Sequence, residues 1–158
     1  MLLQLVLRAC LLQLGAAQLS FLESITKPNS NIISGIDINQ DGTTLAVASL
    51  DHRVYIYTRA ETSFTLSQTL TESQNEVEAI LMTSDGTWLA LADWVGPTFI
   101  YQRLGSQFSL NQSITGSGDL TFSLAMTNDH LWLAIGKTNG MVAVYSHNGV
   151  EFVLTQEL

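Results

Sequence analysis

Basic residues are scarce in this chain. Six lysines and arginines stand against 14 aspartates and glutamates in 158 residues, a formal net charge of -8, and no basic run occurs anywhere. Neutralising a phosphate backbone takes clustered Lys and Arg, so the composition argues against nucleic acid as a partner. An acidic surface is also poorly matched to anionic lipid, which makes a membrane partner unfavoured. Cysteine is nearly missing: Cys10 is the single one, and it lies in the leading apolar segment. A chain without that segment has no thiol, which excludes internal disulfides and cysteine-ligated zinc. Helical patterning is missing as well, since no long window beyond residue 19 repeats its apolar residues at the helical period. No serine stands in a G-x-S-x-G context and no phosphate loop exists. The three histidines, His52, His130 and His147, neither share a metal-ligand spacing nor recur in register.

What the chain does contain is apolar. Hydrophobic residues make up 46% and charged ones 13%, enough for a packed core and too apolar for disorder. The length suits one domain. Residues 1–19, MLLQLVLRACLLQLGAAQL, read as a candidate secretory signal, with Gly15 and Ala17 suited to cleavage after Ala17. Arg8 interrupts the run and no basic residue precedes it, so an amphipathic or poorly ordered apolar extension is the alternative. A membrane helix would put Arg8 and Gln13 at membrane depth. Localisation follows the choice: secreted or cell-surface if residues 1–17 are a signal, otherwise cytoplasmic.

A repeat dominates the remainder. A gap-free shift of 44 residues aligns three copies, and seven columns are identical throughout. They include Asp41, Asp85 and Asp129; Leu45, Leu89 and Leu133; Ala46, Ala90 and Ala134; Tyr57, Tyr101 and Tyr145; Phe64, Phe108 and Phe152; and Gln68, Gln112 and Gln156. Each copy holds four short runs of strand character. In the first they are about 33–38, 44–49, 53–58 and 63–70. Asp41-Gly42 and Asp85-Gly86 punctuate the first two runs as hairpin turns whose glycine accepts positive φ. Asp129-His130 replaces them in copy three, so a differently built turn is expected there. Pro97 is expected to shorten its strand. The second run, Leu45-Ala46-Val47-Ala48, is apolar on both faces, as a strand buried on both sides would be. The fourth run alternates, which places Phe64, Leu66, Gln68 and Leu70 on one side.

A four-stranded antiparallel meander repeated at this length, and apolar on both faces, describes a β-propeller blade. The segments DGTTLAV and ASLDHRVYIY resemble the first and second hairpins of WD-repeat propellers and their WD-like, YVTN-type relatives. The resemblance covers residues 33–158. The Trp-Asp pair of true WD blades is replaced by Tyr57-Thr58, Tyr101-Gln102 and Tyr145-Ser146, and no Gly-His pair opens the repeats. The expected fold is all-β: three four-stranded antiparallel blades of a partial propeller, after an N-terminal helical or signal segment. The expected organisation is 1–19 signal or extension, 20–32 a lone strand (Phe21, Leu22, Ile25) and loop, and blades at 33–76, 77–120 and 121–158. Three blades do not close a ring, since propellers use about four to eight. Other blades or a second chain are therefore expected partners, because exposed sheet faces favour association.

Candidate chemistry is thin. Asp37-Ile38-Asn39-Gln40-Asp41-Gly42 has the alternating oxygens of a calcium loop, which makes Asp37, Asn39 and Asp41 a weak metal candidate. The twelfth position is Ala48 rather than Glu, and the other copies carry Leu81-Thr83-Asp85 and Ala125-Thr127-Asp129. A plain hairpin is the favoured reading, with no metal, no cofactor and no catalytic residue expected. Trp88 and Trp132 share a column and are expected to pack in the core. Asn111-Gln112-Ser113 is a glycosylation sequon, of consequence only in a secreted chain. Binding is assigned to the loops that share one rim and differ among copies: Leu50, Asp51, His52, Arg53, Glu72, Glu76, Trp94, Val95, Asp119, Lys137 and Asn139. The expected function is a non-enzymatic scaffold presenting these loops to a protein partner. The alternatives are an integrin-like calcium-dependent adhesion propeller and a lactonase- or hydrolase-type propeller enzyme.

Overall fold

The computed structural model describes residues 24, 25, 27–115 and 120–158. The leading segment and Phe21 and Leu22 of the expected lone strand lie outside the described residues, as does Asp119. Among the described residues, twelve strands form three sheets. Blade 1 is β1 (Ile33–Ile38), β2 (Thr44–Ser49), β3 (Arg53–Ala60) and β4 (Ser63–Leu70); blade 2 is β5 (Val77–Met82), β6 (Trp88–Asp93), β7 (Thr98–Leu104) and β8 (Gln107–Ile114); blade 3 is β9 (Thr121–Met126), β10 (Trp132–Lys137), β11 (Val142–His147) and β12 (Phe152–Glu157). Each is an antiparallel meander with its strands hydrogen-bonded in sequence order. The described part of the chain is therefore all-β and holds three propeller blades. β7 begins one residue after Pro97, at the same column as β11, where Met141 stands in the proline's place, so the start is not set by the proline alone.

The first hairpin of each blade closes on its aspartate. Thr43 N donates to Asp41 Oδ1 at 2.9 Å, Thr87 N to Asp85 Oδ1 at 3.0 Å and Leu131 N to Asp129 Oδ1 at 3.0 Å. The expectation of a different third turn is corrected. His130 takes φ 61°, beside 67° at Gly42 and 70° at Gly86. A left-handed non-glycine residue costs about 1–2 kcal/mol. The His130 side chain offsets that cost: its Nε2 lies 3.2 Å from Asp85 Oδ2 and 3.4 Å from Thr87 Oγ1.

The fourth strand requires a second correction. Tyr57 pairs with Leu66 but Ile56 with Gln68, so Ser67 is an unpaired bulge residue. The same slip recurs at Asn111 and Thr155. A bulge adds one residue to one strand and reverses the parity beyond it. Phe108 therefore faces blade 1 while Ile114, on the same strand, faces blade 3. The run from Phe64 to Leu70 serves two faces, not one.

Blades 1 and 2 share one core, in which Ala46, Ala48, Val54, Ile56 and Leu70 meet Leu89, Leu91, Phe99, Tyr101 and Phe108. Blades 2 and 3 share another, joining Trp88, Ala90, Ile100 and Ile114 to Leu133, Ile135, Tyr145 and Phe152. In the first, the second strand of blade 1 contributes the small Ala46 and Ala48 against large residues of blade 2, which lets the sheets approach; in the second, β6 contributes Ala90 beside the large Trp88. A glutamine clips each interface on its outer side. Gln68 Nε2 donates to Phe108 O at 2.7 Å and its Oε1 accepts from Phe108 N at 2.7 Å. Gln112 does the same with Phe152, at 2.8 and 2.7 Å.

Candidate loop rim

Three backbone bonds in one column bring the variable loops together. Leu50 N donates to Ile32 O, Trp94 N to Glu76 O and Thr138 N to Leu120 O, at 3.0, 2.8 and 3.0 Å. The loop after each second strand thus meets the approach to the first strand, and both lie on one rim, as the connectivity implies.

On blade 1 the rim is knit from within. Asp51 Oδ2 accepts from the Tyr55 hydroxyl at 2.8 Å and pairs with Lys27 Nζ at 3.2 Å. Lys27 also donates to Asn29 O, and Asn29 Nδ2 to the Tyr55 oxygen at 3.2 Å. Burial pushes the Asp51 carboxyl up, but the bonds from Tyr55 and Lys27 outweigh it and hold it below its usual range. Burial and the Asp51 charge together push the Tyr55 phenol up. Asp51 thus anchors the loop through Oδ2, while its Oδ1 is buried with no hydrogen-bond partner among the described residues. Arg53 Nη1 donates to Asp51 O at 3.2 Å. His52 is exposed, in the left-handed region at φ 67°.

On blade 2 the organising residue is one that sequence reasoning missed. Asp93 is buried at the end of β6. Its Oδ2 accepts from Gln74 N and Asn75 N, both at 3.2 Å, and lies 2.8 Å from Ser73 Oγ; its Oδ1 accepts from Val95 N at 3.3 Å. One carboxylate thus ties the loop leaving blade 1 to the turn after β6. Gly96 is required there, because a Cβ on it would stand 2.6 Å from the Asp93 carboxyl carbon. The signal was an aspartate immediately before Trp94-Val95-Gly96-Pro97. It was hidden because the same column holds Ser49 and Lys137. Glu72 accepts from the Tyr101 hydroxyl at 2.9 Å. Burial first, and then Glu72, push that phenol far up. Glu76 is exposed, Trp94 is half-buried, and Val95 is 61% exposed.

On blade 3, Lys137 Nζ pairs with Glu157 at 3.2 Å, and Asn139 Oδ1 caps its turn by accepting from Met141 N at 2.9 Å. The rim's exposed residues include His52, Glu72, Glu76 and Asn139, with Ile32 and Val95 as exposed apolar points.

The calcium trio is not assembled as a ligand set. Asp37 Oδ2 accepts from Met82 N at 2.7 Å, Asn39 is buried and its Oδ1 accepts from Thr44 N at 2.8 Å, and Asp41 caps its turn. Hydrogen bonds from Thr43 hold the Asp41 carboxyl below its usual range. Among the described residues, no three or more His, Cys, Asp or Glu side chains are grouped to hold a metal ion. Asn111 is exposed, at the bulge of β8. Trp88 is core, packed edge-on against His147 and Phe152. Trp132, against expectation, is 45% exposed, because its face of blade 3 has no neighbouring blade.

Comparison with known proteins agrees with this architecture. The family model described as WD domain, G-beta repeat matches residues 20–58. No curated protein matches the chain significantly. Among solved structures, Sqt1 of Saccharomyces cerevisiae is similar with a TM-score of 0.74 at 18% identity, over 84% of this chain and 37% of that one. A candidate 6-phosphogluconolactonase of Bacteroides uniformis gives 0.76 at 13%, over 87% and 43%. The β-propeller domain of Cps50 (Swd1) from Myceliophteria thermophila gives 0.68 at 12%, over 81% and 43%. At these identities the likeness is one of fold. The chain spans about two-fifths of the length of these structures.

Proposed function

We propose, from the premise that this chain is built of WD-repeat-like β-propeller blades, that it is a scaffold which binds a protein partner through its loop rim and performs no catalysis. One observation carries the reading. The packing columns repeat through all three blades, whereas the rim is built differently in each: by Asp51 with Lys27, by Asp93, and by Lys137 with Asn139. Loops that vary on a constant scaffold are where recognition resides. The exposed set is His52, Glu76, Val95 and Asn139, with the half-buried Trp94 behind them. Further blades, on this or a second chain, would complete the ring.

The enzyme alternative draws on the gluconolactonase-type neighbour. It would want acids converging from the inner strands. Asp37 is the candidate, and its carboxylate is engaged by Met82 N and Ile38 N. The test compares proteins captured by the wild type, by Trp94→Ala with Val95→Glu, and by the opposite-rim control Gln40→Arg. Loss of a bound protein in the rim variant alone supports the reading. Equal capture by all three refutes the rim assignment. Hydrolysis of a gluconolactone by the wild type above the spontaneous rate would refute the non-catalytic part.

A further inference from the structure

The chain holds two Asn-Gly pairs, Asn139-Gly140 and Asn148-Gly149, and they stand in different surroundings. An asparagine followed by glycine carries its own nucleophile. The next backbone nitrogen lies within ring-closing reach of the side-chain amide carbon, and glycine puts no Cβ in the way. At Asn139 that nitrogen is occupied, since Gly140 N donates to Lys137 O at 3.2 Å. Asn139 Oδ1 has a single donor, Met141 N at 2.9 Å. At Asn148 the nucleophile is free: Gly149 N donates to no acceptor among the described residues. Asn148 Oδ1 accepts from two successive backbone N–H groups, Val150 at 2.9 Å and Glu151 at 3.0 Å. The turn is closed by Asn148 N, which donates to Glu151 O at 3.0 Å. Asn148 and Gly149 are exposed, and a Cβ on Gly149, at φ 96°, would meet nothing within 4 Å. Solvent thus reaches the reacting atoms of a turn that is itself fixed.

We propose that Asn148-Gly149 is a site of self-catalysed deamidation. Gly149 N loses its proton to solvent and its electron pair forms a bond to Asn148 Cγ. Negative charge develops on Oδ1, where the Val150 and Glu151 N–H groups already stand at the roughly 2.7–3.1 Å that suits oxyanion donors. Successive backbone N–H groups of this kind favour an anion. The Cγ–Nδ2 bond then breaks, the nitrogen takes up a proton and leaves as ammonia, and a cyclic imide remains. Water adds to one of the two imide carbonyls. Opening at Cγ gives aspartate, and opening at the backbone carbonyl of Asn148 gives isoaspartate. Either product places a negative charge near the exposed Glu151. Isoaspartate also lengthens by one carbon the turn that leads into Phe152, which Gln112 holds. The column of Asn148 holds Ala60 and Leu104 in the other blades, so the site is particular to blade 3. It lies on the rim opposite the recognition loops, beside the turn where His147 N donates to Leu131 O at 2.9 Å, and does not depend on the rim reading.

The test is peptide mass spectrometry on the full chain held near neutral pH, folded and, in parallel, unfolded in urea. Chromatography separates the aspartate and isoaspartate peptides. In the unfolded chain the two Asn-Gly pairs lose their amides at rates within about threefold of each other, because both turns are gone. In the folded chain Asn148 reacts at least about tenfold faster than Asn139, the least that an added oxyanion donor and a free nucleophile should give. Val150→Pro deletes one of the two donors and slows Asn148 at least about tenfold while Asn139 is unchanged. Where circular dichroism shows that this variant does not fold, the wild-type comparison, which needs no variant, decides. Equal rates at the two sites in the folded chain, a faster Asn139, or retention of both amides overturns the proposal. So does a folded Val150→Pro that reacts at the wild-type rate, or the same tenfold preference in the unfolded chain, which would make it a property of sequence alone.

Discussion

Replacing Gln112 by alanine removes the clip between blades 2 and 3. Its amide presents a donor and an acceptor side by side, and Phe152 offers the complementary pair at 2.8 and 2.7 Å. A net hydrogen bond contributes about 0.5–1.5 kcal/mol, and a buried group left unpaired costs about 1–3 kcal/mol. Alanine forfeits two bonds and strands one N–H and one C=O that are only partly buried. The expected loss is about 2–3 kcal/mol. Gln68→Ala, with both bonds to Phe108 at 2.7 Å, has a similar cost. Gln156 shares the column but is exposed and its side chain makes no hydrogen bond among the described residues, so Gln156→Ala costs under about 0.5 kcal/mol. Urea titration at low protein concentration measures all three. Far-UV circular dichroism reports the sheets, and fluorescence reports Trp88, whose ring lies 5.9 Å from that of Phe152. Equal losses for Gln112 and Gln156 would refute the clip and make the repeated glutamine a strand-propensity feature.

Three further outcomes are expected. Glu61 occupies the column of Gly105 and Gly149 with φ 56°, so Glu61→Gly stabilises by about 1 kcal/mol by removing a left-handed side chain, measured as a raised melting temperature. Burial pushes the Asp85 carboxyl up, but bonds from Thr83 and Thr87 and the nearby His130 outweigh it and hold it at about 2. A depressed carboxyl contributes stability above its unfolded value, 3.8, that is lost as pH falls through the folded one. With the side chain 45% exposed, solvent screening limits the contribution to about 1 kcal/mol. Stability should therefore fall between pH 3.8 and about 2, less steeply in Asp85→Asn; an unchanged slope refutes the assignment. Gly96→Ala drives a methyl into the Asp93 carboxyl and costs about 2 kcal/mol or more, whereas Gly140→Ala meets nothing within 4 Å and carries only the cost of its φ of 87°.

Period and pattern were enough for the architecture. Apolar residues on both faces of the second strand, a turn signal before it and a strict 44-residue recurrence left little room for another fold, and β1, β2 and β4 have the expected bounds. Two local details were not legible. Nothing in Leu66-Ser67-Gln68 marks the bulge, because a bulge depends on how the partner strand pairs. Alternation therefore assigned Phe64 and Gln68 to one face when they lie on two. His130 reads as a break in the turn pattern because glycine is the usual left-handed residue; its compensation comes from Asp85 and Thr87, a blade away. The shared rim follows from the connectivity, but the anchoring of its residues does not show in the sequence. Asp51 and Glu72 look free in sequence, and their partners Tyr55 and Tyr101 stand in columns that read as core.

That last point narrows where recognition can reside. Variation among loops is evidence for binding only after the variation that the scaffold itself needs is removed. Asp51 is held by Lys27 and Tyr55, Glu72 by Tyr101, Lys137 by Glu157, and Asn139 by its own turn. Changing any of these would alter the loop before it altered a contact with a partner. Among the expected rim residues, His52, Glu76 and Val95 remain exposed with no side-chain hydrogen bond or ion pair of their own among the described residues. Val95 is the sharpest probe of the three. Its side chain is apolar and mostly exposed, while its backbone N–H is fixed by Asp93 Oδ1 at 3.3 Å. A hydrophobic tip on a loop anchored by a buried carboxylate loses little further entropy on binding, and preorganisation of that kind raises affinity without added area. Substituting Asp93 by Asn should therefore weaken partner binding by loosening the loop while the Val95 side chain itself is unchanged, and a partner insensitive to substitution at both positions would locate recognition on the opposite rim.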